Sequence, residues 1–353
     1  MTTAIIGDGH FGVRSGDLAF LEFQCKWWVD TINKIADMGI KTIAQVGDLF
    51  DNRKVLDVRV AQYFLDRVVN ALELRGVKMI ITVGNHNIYY RESNQIHNLF
   101  FLKDHPNIRI VQESVEIDNV LFLGWINKSN QEAQMKKVAE SSMSYCFAHL
   151  EPVDMPMYKG LVATHGMDMA PFKKFKKVYS GHYHTISREG NIVMVGSPYH
   201  LTWADYPDGI NRGWFELDTV TGSEVFHPNT VDQSLFCIFN HNPEEKYHEV
   251  DMKVLKGKIA RVVVNDKGET RAFNKFISLL AAAGAIEYKI IDNTAIKPDQ
   301  SKTGIDPAKM LVNVAGVISD YTFELAGTVA GADAHKVKDM TINIYNKAIT
   351  ENK

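Results

Sequence analysis

Lys41-Thr42-Ile43-Ala44-Gln45-Val46-Gly47-Asp48-Leu49-Phe50-Asp51 begins as a short apolar run and ends on glycine and carboxylates. Such a run, closed by Gly and a polar group, reads as a buried strand leaving into a loop. The same unit stands on either side of it. Residues 3–6 lead into Gly7-Asp8-Gly9-His10, and residues 77–83 lead into Gly84-Asn85-His86-Asn87. Between these runs, residues 18–38 place Leu21, Trp28, Ile32 and Ile35 at helical spacing. Residues 58–74 do the same with Val60, Phe64, Val68 and Leu72. The strand–helix alternation predicts parallel strands joined by right-handed crossovers. Function in open α/β sheets collects at the carboxyl ends of strands, which is where all three polar groups fall.

Two later pieces extend the pattern: His149 after residues 144–148, and Ser180-Gly181-His182-Tyr183-His184. The intervening chain predicts a helix over 92–102, strands over 108–111 and 120–125, and a polar helix over 131–141. Further strands are expected over 192–195 and 214–217. The mixture predicts an α/β sandwich of sheets with helices outside, over residues 1–230. After that the composition changes. Strand, helix and strand over 256–265, 271–283 and 286–291 make a small β-α-β domain within 231–292. Residues 293–308, with Pro298 and Pro307, read as a linker. Residues 309–353 read as two helices parted by Gly327 and Gly331. Such a pair cannot bury a core alone. It docks on its own domain or serves a partner.

At 353 residues the chain has room for two or three domains, and 45% hydrophobic content is that of a globular protein. Lys and Arg number 39 against 42 Asp and Glu. Total charge therefore argues against a chain that grips DNA by charge alone, while leaving local patches open. Cys25, Cys146 and Cys237 are scattered, which excludes a disulfide framework and a Cys-based zinc site. No run approaches the roughly 18 apolar residues of a membrane helix. The chain enters a strand almost at once, so no signal peptide is expected. A soluble, cytoplasmic protein is the expectation.

Carboxylate, carboxamide and imidazole together suit hard to borderline divalent cations. Asp8 and His10 lie two apart on one loop, and a carboxylate such as Asp48 can bridge two cations. With Asn85, His149, His182 and His184 the set has seven members, enough for two adjacent sites with Asp48 shared. Two cations about 3.5–4 Å apart serve in-line displacement at phosphorus. His86 adjoins Asn85 but cannot easily point the same way, and is the candidate proton donor to the leaving oxygen. A one-metal zinc site is the rival, and it leaves several of these groups unexplained. His97, His105, His165, His200, His227, His241 and His248 are read as structural.

Written as D-x-H, G-D, G-N-H, H and G-H-x-H, these residues resemble the calcineurin-like metallophosphoesterases over about residues 1–220. The resemblance implies a four-layer β-sandwich flanked by helices and two metals, often manganese or iron. It implies Asp8, His10, Asp48 and His184 around one metal. Asp48, Asn85, His149 and His182 surround the other, with His86 as the catalytic histidine. Gly47-Asp48-Leu49-Phe50-Asp51 is similar to the G-D-[IL]-F-D of SbcD-type nuclease subunits, and Gly196-Ser197-Pro198 to their G-S-P. Size and tail look most like the phage members. In layout, 231–292 resembles their capping domain and 309–353 their ATPase-binding helical hairpin. The implied activity is manganese-dependent, with magnesium as the alternative: exonuclease on double-stranded DNA and endonuclease on single strands. The implied setting is recombination, repair and replication, in the host cytoplasm if a phage encodes the chain. The implied partner is an SMC-like ATPase, with a homodimer inside a heterotetramer.

One residue departs from the family pattern G-N-H-D: the fourth position is Asn87. If that side chain orients His86, Asn87 predicts a slower chemical step, and Asn87→Asp a faster one. Asn52-Arg53-Lys54 follows Asp51 and is placed to meet DNA phosphates. Lys173-Lys174 and Lys176-Lys177 are further basic candidates. Two competitors stand beside the nuclease: a phosphodiesterase or phosphatase on a small substrate, and a cleavage-silent DNA-bridging scaffold supported only by Asn87.

Overall fold

The computed structural model describes residues 2–158, 161–209, 211–230, 234–245 and 251–294, together with residues 336, 337 and 340. The chain divides into two compact units, Met1–Thr294 and Ala295–Lys353. The expected linker lies outside the described residues from 295 onward. The expected helical segment lies outside them too, save for Lys336, Val337 and Met340, each helical.

Two six-stranded sheets form the larger part of the first unit, within residues 2–228. One runs, edge to edge, Glu224–Pro228, Gly213–Asp218, Thr2–Ile6, Thr42–Gln45, Lys78–Thr82 and Ile108–Val111. Its last four strands are mutually parallel, as the strand–helix alternation predicts. The other runs Ser187–Glu189, Ile192–Met194, Lys177–Gly181, Tyr145–His149, Val120–Leu123 and Ser114–Ile117. Alternate side chains of each strand point to opposite faces, and here both faces are buried. Ile5, Ala44 and Ile80 face the second sheet, where Phe122, Phe147, Tyr179 and Val193 meet them. Their neighbours Ala4, Ile6, Ile43 and Met79 face outward onto helices.

Those helices are the ones the spacing predicts. Leu18–Asp37 starts at Asp17, whose carboxylate accepts the Phe20 amide at 2.8 Å. It buries Leu21, Trp28, Ile32 and Ile35. The next runs Val58–Tyr63, continues as a π-helical turn over Phe64–Val69 and ends as Asn70–Arg75, with Val60, Phe64, Val68 and Leu72 inside. On the far side, Gln131–Glu140 sets Val138 against the second sheet. Helix, sheet, sheet and helix make the four-layer α/β sandwich.

Residues 92–102 are not a helix. Ile88–Tyr90 and Ser93–His97 form a hairpin, followed by a single 3-10 turn over Phe100–Leu102. Asn94 explains the difference. Its amide donates to the Gln112 and Trp125 carbonyls at 3.0 and 2.8 Å, tertiary bonds that hold this segment extended against its helical spacing.

Phe236–Asn240, Ile259–Val264 and Glu287–Asp292 form a separate parallel sheet. Helix Thr270–Ala282 covers it, packing Phe276 and Leu280 on Val262 and Val264. The β-α-β over 256–291 is as expected, whereas its third strand, 236–240, is not evident in the sequence. The Arg261 guanidinium sits 4.1 Å over the Trp203 ring, tying this sheet to the sandwich.

Candidate metal centre

Strand exits bring all seven expected ligands to one rim. Asp8, His10 and His184 form one group whose ligand atoms lie within 4.8 Å of one another, and Asp48, His149 and His182 form another. Asp48 faces both groups: Oδ2 lies 3.2 Å from His149 Nε2 and 3.9 Å from His10 Nε2. The Asn85 amide lies 2.9 Å from both His149 Nε2 and His182 Nδ1. His184 Nε2 meets His10 Nε2 at 3.2 Å.

The backbone at these exits is unusual. His10, Asp48 and His182 all have left-handed φ, at 43°, 52° and 98°. Strained positions of this kind persist where the surroundings fix them, and they cluster at functional sites. The glycines serve close approach. A Cβ on Gly47 would lie 2.2 Å from His149 Nδ1, and one on Gly84 would lie 2.2 Å from Asp48 Oδ1. The Gly-Asp and Gly-Asn pairs of the sequence are therefore steric necessities at this rim.

Each imidazole is held from behind. His10 Nδ1 is 3.0 Å from Asp51 Oδ1, and His149 Nδ1 is 2.8 Å from the Val46 carbonyl. His182 Nε2 is 3.5 Å from Glu151, and His184 Nδ1 is 3.7 Å from Asp205. Metal-ligating histidines are backed in this manner, which fixes the tautomer and turns the other nitrogen toward the ion. The inward atoms fit a cation for a second reason. With its oxygen inward, Asn85 would face His149 Nε2, His182 Nδ1 and Asp48 Oδ2, a crowding of acceptors that either a turned amide or a cation between them relieves. The donor set therefore suits divalent cations.

In the cation-free protein, protons take over this role. Burial alone would lower His10, but the Asp51 hydrogen bond and the charges of Asp48, Asp51 and Asp8 raise it to about 9. Burial likewise opposes, and Asp48 and Asp8 outweigh, in His149, also raised to about 9. Cations require the neutral rings. Metal binding should therefore release protons below pH 9, and apparent affinity should climb from pH 6 to 9. Calorimetry in buffers of different ionisation enthalpy checks this. The sign for stability is opposite. Both pairings stabilise the chelated fold fully below about pH 6.5, and that contribution is lost as pH rises through 9.

His86 sits beside this cluster. Its ring lies 4.8 Å, edge to face, from that of His10, and its Nδ1 bonds the Asp51 carbonyl at 2.6 Å. Burial, the largest effect, and the His10 charge lower its pKa despite Asp48.

The hydrogen bonds of the Asn87 side chain go elsewhere than the His86 ring, whose Nδ1 is held by Asp51, and this corrects the orienting role expected of Asn87. Its Oδ1 accepts the Gly84 and Asp48 amides at 2.9 and 3.0 Å, and its Nδ2 donates to Asn98 Oδ1 at 3.1 Å. Asn98 is fixed in turn, donating to the His86 and Asn52 carbonyls. It cannot turn over without setting its oxygen against both. Asn87→Asp would oppose a carboxylate to the Asn98 oxygen. The expected result is a loss of about 1–3 kcal/mol in stability and no gain in turnover. Thermal unfolding and a rate assay on the same sample check it. A faster enzyme of unchanged melting temperature would restore the orienting role.

The expected DNA-binding residues divide. Asn52 Oδ1 caps its own loop through the Lys54 and Val55 amides, so this side chain serves the turn. Lys54 is exposed, and Arg53 turns inward to Asn85. Among the other basic candidates, Lys174 caps helix Gln131–Glu140 through the Val138, Ala139 and Ser141 carbonyls, and Lys177 pairs with Glu224. His200, His227 and His105 have structural partners in Gly209, Glu216 and Glu73.

Several residues were not found from the sequence. The Trp125 ring lies 5.3 Å from His182 and 5.8 Å from His149. Asp205 is fully buried, accepts the Leu201 and Thr202 amides, and pairs with Arg212 at 3.3 Å. Arg212 also reaches the His184 carbonyl and Ser197 Oγ. Gly196-Ser197-Pro198 is thereby tied to His184. Burial would raise the Asp205 carboxyl, but His184 and Arg212 hold it well below the usual carboxylate range. Asp205→Asn should weaken metal binding about 10- to 100-fold. Titration of apoprotein with manganese, followed by electron paramagnetic resonance, measures it.

One relative aligns over nearly the whole chain. Exonuclease subunit 1 of Enterobacteria phage T4 is 32% identical over 316 residues, covering 87% of this chain and 89% of that protein. The chain belongs to the exonuclease subunit 1 family. No general protein-family model matches it. Among solved structures, the chain is similar to a dimetal phosphatase from Danio rerio. Identity is 11%, with 61% of this chain and 91% of that one covered and a TM-score of 0.37. Purple acid phosphatase PPD1 from yellow lupin matches at 14% identity, over 65% of this chain and 46% of that one, with a TM-score of 0.33.

Proposed function

We propose that the chain is a two-metal DNA nuclease and the nuclease subunit of a larger complex. One observation carries this most: seven ligand-type groups converge at one rim with Asp48 between two sets. Membership beside the phage T4 exonuclease subunit supports a nucleic-acid substrate, for which we take DNA, and a partner subunit. Asp8, His10, Asp48 and His184 hold one divalent cation, and Asp48, Asn85, His149 and His182 the other. Manganese is the favoured ion and magnesium the substitute. Together the cations supply Lewis-acid polarisation of a phosphodiester and offset the charge that develops on it.

The chain's own residues do the rest. Asp51 holds the His10 ring with its carboxylate and the His86 ring with its carbonyl. The Nδ1 proton of His86 is committed to that carbonyl, so the other ring nitrogen carries a proton only in the imidazolium form, and that form is the one that can protonate the leaving oxygen. Trp125 walls the second set of ligands and limits water there. Asn87 fixes the two loops that bear Asp48 and Asn85. With Asn87 in that role, the cleavage-silent scaffold loses its one support.

In this reading, residues 231–292 are a capping domain that meets DNA, and 309–353 bind an SMC-like ATPase. The assembly is a homodimer of nucleases within a heterotetramer, acting in recombination and repair. The test is linear duplex DNA and a circular single strand, each with manganese, beside bis(4-nitrophenyl) phosphate. Shortening of the duplex and nicking of the circle support the proposal. Turnover of the small diester alone would leave a small-substrate phosphodiesterase. Truncation before Met310 should abolish co-purification with an SMC-like ATPase partner, and retained co-purification would defeat the tail assignment.

A further inference from the structure

Arg53 follows Asp51 by two residues and lies inside the centre rather than at its mouth. Its Nη2 is 2.9 Å from the Asn85 amide. Its Nε is buried and has no hydrogen-bond partner among the described residues. Burial, the largest effect, and the charge of Arg91 disfavour its positive charge, and Asp48 opposes them. A guanidinium has five donors and no acceptor, so an orphaned, buried Nε is a donor waiting for an oxygen.

The Asn85 amide can sit in only one of two ways. With nitrogen inward its two protons can serve two of three acceptors, His182 Nδ1 at 2.9 Å, Asp48 Oδ2 at 3.1 Å and, when that ring is neutral, His149 Nε2 at 2.9 Å, and its oxygen accepts from Arg53. With oxygen inward, the oxygen serves a cation, and the amide nitrogen then stands against Arg53 Nη2. Two donors cannot share a 2.9 Å contact. Arg53 must then leave Asn85 and find another acceptor. The acceptor that arrives at a two-metal phosphodiesterase site is a phosphate oxygen, which the Arg fork matches.

We propose that Arg53 latches the Asn85 amide in the cation-free protein and moves to a phosphate oxygen of the substrate when that amide turns to the cation. Arg53 is thus a catalytic residue whose release is linked to metal loading. This rests on the two-metal phosphodiesterase reading, but not on DNA being the substrate.

The test uses the full chain as wild type, Arg53→Lys and Arg53→Gln. Manganese binding to apoprotein without any substrate is followed by electron paramagnetic resonance. Arg53→Lys keeps the charge but loses the forked contact, so it should bind manganese about two- to tenfold more tightly than wild type. Tightening in Arg53→Gln alone would be simple relief of charge repulsion and would overturn the latch, as would no change in either variant. Turnover is then measured with bis(4-nitrophenyl) phosphate at saturating manganese. Both variants should lose about 10- to 100-fold in kcat. An unchanged kcat on the small diester, with only the KM for DNA raised, would make Arg53 a residue of the DNA path and overturn the catalytic role. If neither enzyme form cleaves DNA but the small diester responds as expected, the nuclease reading fails and this one stands.

Discussion

Asp48→Asn should leave a folded protein that binds at most one cation per chain and turns over at least about 10³-fold more slowly. The fold survives because Asp48 sits at φ 52°, in the left-handed region that asparagine also accepts. The amide oxygen can still take the His86 backbone N–H, as Asp48 Oδ1 does at 2.7 Å. What is lost is the charge between the two ligand sets, since Asp48 Oδ2 faces both His10 and His149. The histidines should respond too. Asp48 is among the groups that hold both near 9, so both should titrate lower in the variant. Calorimetry gives stoichiometry, and NMR of the imidazole protons gives the titration. Two cations bound with unchanged affinity would remove Asp48 from its bridging place.

The second large effect is expected at His86. His86→Ser should lower turnover about 10²- to 10⁴-fold while both cations still bind. His86 belongs to neither of the two ligand sets that include Asp48 or His184, though it groups with His10 and Asp51. Its removal vacates the Asp51 carbonyl without disturbing the Asp51 carboxylate on His10. A leaving group that needs no proton separates the role from a structural one. A thio-substituted or nitrophenolate leaving group should suffer less from the substitution than an alkoxide. An equal loss with both would place His86 in positioning alone.

The parallel strand–helix–strand core and the polar groups at its strand ends were legible in the sequence because both are local patterns. A strand that must let a backbone approach within contact of an imidazole needs glycine, and the polar group follows at once. Gly47-Asp48 and Gly84-Asn85 are that constraint written in order. The backing of the ligands is not local. Asp205 and Arg212 stand well beyond His184 in sequence, and Glu151 reads as one more loop carboxylate. Nothing in their spacing marks them. The reading of Asn87 failed for a related reason. Its neighbour His86 suggested its partner, while its real partner is Asn98, delivered by a hairpin that the sequence presents as a helix. Arg53 shows the same limit, since a basic residue beside a loop looks the same whether it points out or in.

The central claim is that one rim holds two cations that cleave DNA. Its most direct measurement is the rate of end-labelled linear duplex degradation as manganese is returned to fully chelated protein. The account predicts no cleavage by apoprotein and activity that needs two equivalents of metal per chain. Cleavage that saturates at one equivalent, or that persists in chelator, would contradict it.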